Sequence, residues 1–598
     1  MSRLLSFFTL VTAAIAGSVT YDWDIGWTTA APDGFSRPVI GINGQWPIPV
    51  LECNVGDTVT VNMKNSLGNQ NTGIHFHGMT QSGTPQMDGT SMVAQCPVPP
   101  GASFTQTFQS LPAGTHWYHS HNKGQYPDGL RAPMIVHDPS YENSLGVDKQ
   151  FVLTVSDWYH EQTPSIIHKM LTTSFGPQPG VDASLMNDKQ SDTFEIQAGK
   201  KYLFRIISMS ALLAHDLEFE GHDMQITALD GIPCEPYTAS AITLAAGQRY
   251  DVVITAKSNP SKNYAIFSKM VGTGLSNIGT LSYSSKYGNA KRPSDSPSVS
   301  LNDLNIKPKD AQSIIGPVDH RIYMEVKYTD RSVIGRRIGM NETYVSQEVP
   351  TLYTALTTGE DAMSPEVYGE ATNPSVIKSN EVVEIVLRNR DGWAHPMHLH
   401  GHQFQVVARG SGDYTGDESK LPRVPMKRDT VATVPNGHLV IRFRADSPGV
   451  WPFHCHMEWH VETGMIATII EAPDKLQASG IKIPEQHLDI CHQQNIKTEG
   501  NCGGNTEDHF DLSKCHTKPD PNETWGALID PPKDAPIDPP KNAPNGPSKN
   551  APNGPSKNAP NGPSNNAPNG PSENAPNYRY GRVGRPRVHP SQQRKHDR

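Results

Sequence analysis

Ten histidines and one cysteine fall into four short clusters. They are His75-Phe76-His77-Gly78, His119-Ser120-His121, His395-Pro396-Met397-His398-Leu399-His400-Gly401 and His454-Cys455-His456-Met457-Glu458-Trp459-His460. On an extended strand residues i and i+2 point to one face, so each H-x-H pair presents two imidazoles together. Imidazole suits Zn, Cu, Fe and Ni, so the pairs alone leave the metal open. The fourth cluster narrows the choice. Cys455 lies between two histidines, with His460 five and Met465 ten residues beyond it. Two His, one Cys and a weak axial Met are the donors of a blue-copper electron-transfer site, and His395 can supply the second His. The other eight, His75, His77, His119, His121, His398, His400, His454 and His456, then form a separate group. Eight imidazoles suit three copper ions with positions left open for oxygen. A zinc site needs only three or four ligands and has no use for the alternation. Because Cys455 is bonded directly to His454 and His456, one-electron oxidation at one site can be joined to four-electron reduction of O2 at the other.

The elements that must position these clusters read as strands. Period-2 patterns recur, as in Val59/Val61/Met63, Tyr202/Phe204/Ile206, Tyr250/Val252/Ile254 and Val383/Ile385/Leu387. Gly, Pro, Asn and Asp clusters punctuate them, which predicts an all-β protein of sandwich or barrel domains. With 51 Pro, 50 Gly and only 19% charged residues in a chain of 598, helical bundles are disfavoured. We place three β-domains at about 21–140, 145–300 and 340–475, with a Ser/Pro/Lys-rich linker over 285–320 and a Cys-bearing extension over 476–530. A net charge of -9 argues against a nucleic-acid partner. The mature chain shows no apolar run long enough to cross a membrane.

The ends differ in kind. Residues 1–17 have Arg3, an apolar Leu4–Val11 run and Ala14-Ile15-Ala16, the pattern of a secretory signal peptide. The expected location is extracellular or in the cell wall, where cysteines can pair. Setting Cys455 aside leaves Cys53, Cys96, Cys234, Cys491, Cys502 and Cys515, of which Cys502 and Cys515 are close enough in sequence to staple. Asn341-Glu-Thr and Asn522-Glu-Thr are glycosylation sequons. Within 531–598 the octapeptide KNAPNGPS starts at Lys541 and repeats at 549 and 557. It has nothing larger than Ala to bury and reads as a disordered spacer. The final 21 residues carry seven Lys/Arg, either a solvated basic end or a contact to acidic wall polymer or membrane surface.

The four clusters, complete and in this order over about 21–475, resemble those of the multicopper oxidases: laccases, ascorbate oxidases and fungal ferroxidases. The run from Gly114 to Gly129 looks especially like ascomycete laccase-like and ferroxidase-like enzymes. The resemblance implies three cupredoxin-like Greek-key domains, with a copper cluster between the first and third. It implies four copper ions: type 1 on His395, Cys455 and His460 with Met465 axial; type 2 on His75 and His398; and the type 3 pair on His77, His119, His121, His400, His454 and His456. It pairs Cys96 with Cys491, leaving Cys53–Cys234 as a remainder. It also makes Asp88 and Glu458 proton-supplying carboxylates during O2 reduction, although Glu458 could equally orient a ligand His.

For the reductant, the expectation is a laccase-type oxidase of small phenols, such as polyketide-pigment or melanin precursors. The alternative is a ferroxidase. Iron needs hard carboxylates near the type 1 edge, for which Glu195, Asp413 and Asp417 are candidates by order only. Residues 268–283 contain no acid, and the chain ends in a polar repeat rather than a membrane helix, which weighs against iron. A third reading is a non-catalytic copper-binding wall protein.

Overall fold

The computed structural model describes residues 17–172, 178–294, 299, 301–328, 338–518 and 526–530. Residues 1–16 of the leader, the Asn522 sequon, the repeat and the basic end lie outside the described residues.

The chain forms six sheets in three successive pairs. The first pair comprises Arg37–Ile42, Ser18–Ala30, Thr58–Asn65 and Ser103–Gln109 in one sheet, and Leu51–Asn54, Arg131–His137, Gly114–Ser120 and Ile74–His77 in the other. The second and third units each pair a six-stranded with a five-stranded sheet. The predicted alternation holds on Thr58–Asn65, where Val59, Val61 and Met63 are buried while Thr58, Thr60 and Asn62 are half-exposed and Lys64 is exposed. It fails on Tyr202–Ser208, which is buried on both faces. That strand is central in its sheet, and Arg205 from it donates to Thr115 Oγ1 of the first unit (2.9 Å). Packing between units removes the solvent face that alternation presumes.

The units share cores. Val450 and Ile470 of the third unit belong to the same apolar cluster as Val59, Phe76 and Tyr118 of the first. Met457 and Trp459 join the cluster of the middle unit, with Met209 and Leu213. The four histidine clusters sit where these cores meet.

The extension after the third unit folds back on the first. Helix Glu485–His492 carries Cys491, which is disulfide-bonded to Cys96, and Gln494 donates to the Pro97 carbonyl (2.7 Å). Cys502 and Cys515 are also paired. The Cys53–Cys234 pair is not formed. Cys53 is buried in the core of the first unit and Cys234 in that of the middle unit, so elimination by count misassigned them. Burial pushes their thiols up to about 11 and about 12, which makes both poor nucleophiles. Asn341 is exposed, as its sequon requires. Among the described residues no helix is long and apolar enough to cross a membrane.

A direct check is thiol counting. The denatured, metal-free, unreduced chain should titrate three thiols, those of Cys53, Cys234 and Cys455. A count of one would mean that Cys53 and Cys234 pair after all.

Candidate metal centre

Strand pairing brings the clusters together. Ile74–His77 runs antiparallel to Gly114–Ser120 with His75 opposite His119 and His77 opposite Trp117. Pro396–Leu399 runs antiparallel to Gly449–Cys455 with His398 opposite His454 and Met397 opposite Cys455. Because side chains alternate along a strand, Cys455 leaves the face that His454 uses.

That separation produces two groups. In the first, Cys455 Sγ lies 3.7 Å from His395 Nδ1 and 3.6 Å from His460 Nδ1, and the two nitrogens are 3.2 Å apart. Three donor atoms converge on one buried point, and burial pushes the unmetallated thiol far up. Burial also lowers His460 to about 3, with His395 adding to the effect, so its imidazole is neutral and free to ligate. Met465 is fully buried beside them. Its carbonyl accepts from the Cys455 amide (3.2 Å) and its amide donates to the His460 carbonyl (2.9 Å).

Both histidines are tied down by their far nitrogens. Asp391 Oδ2 lies 3.1 Å from His395 Nε2. Burial raises the Asp391 carboxyl, but the bond and charge of His395 outweigh it and hold the group below the usual range. The Gln178 amide lies 2.9 Å from His460 Nε2. Neither residue stood out in the sequence. The available signal for Asp391 was an acid four residues before His395; Gln178 gave none.

In the second group the histidines aim ring nitrogens at one another or at no protein partner. His75 Nε2, His119 Nε2 and His398 Nε2 are buried and unpartnered. Their Nδ1 atoms are committed to the carbonyls of Asp88, Ser120 and Asp429, each at 2.9 Å. His400 Nε2 faces His454 Nε2 at 3.0 Å, His121 Nε2 faces the same atom at 3.5 Å, and His77 Nδ1 faces His456 Nε2 at 3.1 Å. Desolvation holds His77, His119, His121, His398, His400 and His456 well below the ordinary imidazole value and lowers His454 to about 4. Neutral lone pairs aimed at one another across a buried space suit metal ions, and soft thiolate with imidazole suits copper.

Of the two predicted carboxylates, Asp88 contacts this group and Glu458 follows His456 by two residues. Asp88 is fully buried, with Oδ2 2.9 Å from His400 Nδ1 and accepting from Thr90 Oγ1 (2.6 Å). Glu458 opens the helix Glu458–Glu462 and accepts from the Gly124 amide; burial and nearby Glu462 raise its carboxyl well above the usual value. A cavity of about 620 Å³ reaches His121, lined by Asn71, Thr90, Asn122, Pro452 and Val461. His121 is the histidine of the group that lines it.

Comparison with known proteins agrees with this donor chemistry. Residues 24–141, 149–289 and 344–475 each match the multicopper oxidase family. The chain is a multicopper oxidase. It is therefore a copper-dependent oxidoreductase with O2 as electron acceptor, which sets aside the non-catalytic wall-protein reading. The oxidase is 43% identical to the iron transport multicopper oxidase fetC of Epichloe festucae over 87% of this chain and 88% of that one. It is 44% identical to the iron transport multicopper oxidase FET3 of Gibberella zeae over 85% and 84%. The crystal structure of Fet3p, a multicopper oxidase that functions in iron import, superposes with TM-score 0.78 at 34% identity, covering 83% of this chain and 98% of that one. A laccase from Botrytis aclada superposes with TM-score 0.70 at 26% identity, covering 81% and 93%.

These relatives overturn the expectation of a phenol-oxidising, pigment-forming laccase. The argument against iron had weighed an acid-free run at 268–283 and searched for acids by order alone. Asp413 is held by Arg388 (2.6 Å), Asp417 by Lys420 (3.1 Å), and Glu195 is exposed on Thr193–Glu195. The carboxylate that touches a histidine of the Cys455 group is Asp391.

Two substitutions check the first group. Cys455→Ser should abolish the blue thiolate-to-copper absorption and substrate-linked O2 uptake while copper still loads at the eight histidines; a retained blue band would refute the donor assignment. Met465→Leu removes a sulfur with little volume change and should raise the reduction potential of the Cys455 site with copper retained. An unchanged potential would make Met465 only a packing residue.

Proposed function

We propose that this oxidase is a secreted Fe(II) oxidase that carries four copper ions and couples 4 Fe(II) + O2 + 4 H⁺ to 4 Fe(III) + 2 H2O. The Cys455, His395 and His460 group, with Met465 beside it, would hold one ion, and the eight histidines would hold three. Bound copper supplies the one-electron redox steps that join reductant to O2. Secretion is supported by the leader pattern in residues 1–17, and the iron reading by the names of the relatives.

The observation that carries the iron reading is the Asp391–His395 contact. Fe(II) is a hard cation and prefers oxygen donors. Asp391 is ionised and only slightly exposed, and its Oδ2 lies 3.1 Å from the imidazole nitrogen opposite the Cys455 side. A dication held at this carboxylate is one imidazole ring from the donor group. The opposite edge of the group is covered by the neutral amide of Gln178, which gives a cation no charge to bind. From Cys455 the route to both neighbouring histidines is covalent. At the far end Asp88 is hydrogen-bonded to His400 and open to exchange through Thr90 on the cavity wall. Glu458, whose carboxyl burial and the nearby Glu462 push upward, is a further candidate to hold and release a proton.

The test is Asp391→Asn, which keeps the size of the side chain and removes its charge. Near a dication, at an effective dielectric of about 20, one charge contributes several kcal/mol before screening. The variant should lower kcat/KM for Fe(II) by about tenfold or more. The corresponding value for a neutral phenol such as a dihydroxynaphthalene should fall much less, and the blue absorption should persist. Equal losses for both reductants would show that Asp391 only orients His395.

A further inference from the structure

We propose that the middle unit, which supplies no histidine to either group, positions the eight-histidine cluster through a buried Arg249–Asp429 pair. The inference rests on those histidines binding copper and is independent of the reductant.

The turn Ala245–Arg249 of the middle unit reaches the cluster directly. Gly247 has φ +79°, and a Cβ there would meet His456 Cδ2 at 2.5 Å, so only glycine allows the backbone this close to the ring. Gln248 Nε2 donates to the Thr430 carbonyl of the third unit (3.1 Å). Next comes Arg249, fully buried, whose Nη1 and Nη2 donate to Asp429 Oδ1 (2.7 Å) and Oδ2 (2.6 Å). The guanidinium is itself fixed from three sides. Its Nε donates to the Thr115 carbonyl (3.0 Å), Nη1 to the Gly247 carbonyl (3.0 Å) and Nη2 to the Asp230 carbonyl (3.2 Å).

Asp429 passes this rigidity to two histidines. Its Oδ1 lies 3.3 Å from His77 Nε2, and its backbone carbonyl accepts from His398 Nδ1 at 2.9 Å. His77 Nδ1 is the nitrogen that faces His456. With Nδ1 turned to the metal side, Nε2 carries the proton and donates to Asp429, which sets the tautomer and the ring plane. A carboxylate on the far nitrogen of a ligand histidine orients it and raises its basicity. A bidentate guanidinium fixes the carboxylate plane, which a single contact would not.

A buried ion pair is weak evidence for stability, because an apolar pair of similar volume often serves as well or better. Its placement beneath His77 and His398 is what calls for a positioning role. The comparison within the molecule is Asp303, which takes Arg428 (3.4 Å) and Arg409 in an ion-pair network at the same interface. Among the described residues Asp303 pairs with these arginines and with no histidine of the cluster, so it separates interface stability from ligand positioning.

The experiment uses the full-length copper-loaded chain and reads copper stoichiometry, the blue absorption and the electron paramagnetic resonance spectrum. Asp429→Asn and Arg249→Lys should keep the blue absorption. They should lower copper affinity at the eight-histidine group by about 10–100-fold, the range for outer partners of metal ligands, and alter its resonance spectrum. Arg249→Lys retains the buried charge, so it can be read if neutral variants do not accumulate. Asp303→Asn should lower the melting temperature and leave the cluster spectrum unchanged. Full loading with unaltered spectra in both Asp429→Asn and Arg249→Lys would overturn the proposal. So would an equal spectral change in Asp303→Asn. A wild-type chain that fails to load copper at the histidines would instead overturn the copper reading beneath it.

Discussion

The placement of one cysteine between two histidines at the end of the strand Gly449–Cys455 constrains the rest of the molecule. Alternation forces the thiol and the imidazoles of positions 454 and 456 to opposite sides. One side must then be closed by His395 and His460 and the other by six histidines from elsewhere. The strand pairings that deliver them, His75 with His119 and His398 with His454, are the registers observed. A slip of one residue in either would turn its imidazoles into the core and leave the buried donors without a metal.

Burying so many imidazoles carries its own requirement. Most of the rings satisfy one nitrogen within the protein so that the other remains free and correctly aimed. Backbone carbonyls of Asp88, Ser120, Asp429 and Cys455 do most of this work, and the carboxylate of Asp88 serves His400. These acceptors come from the first and third units. The middle unit adds the charge that holds Asp429 and the glycine that lets its backbone reach His456. Shared cores across unit boundaries make the arrangement rigid, as a site spanning several sheets requires.

The grouping of the histidines and Cys455 was legible in the sequence because strand periodicity acts locally: H-x-H and H-C-H fix which side chains share a face without a fold. The all-β class followed from the same periodicity. What depended on three-dimensional neighbours was not legible. Asp391 is four residues from His395 but carries no motif that marks it; Gln178 and Arg249 lie far away in sequence. Cys53 and Cys234 were paired by subtraction, although they occupy different cores. The reductant was misread for a related reason: acids were sought by order alone, in 268–283 and at Asp413 and Asp417, while the carboxylate beside His395 is Asp391.

The central claim is that Fe(II) oxidation at one group is coupled to complete reduction of O2 at the other. The most direct measurement is the ratio of Fe(II) oxidised to O2 consumed by the copper-loaded enzyme, with peroxide assayed in the same vessel. The account predicts about four Fe(II) per O2 and no peroxide, the balance for reduction to water. A ratio near two with peroxide released, or no Fe(II)-dependent uptake beyond the metal-free control, would contradict it.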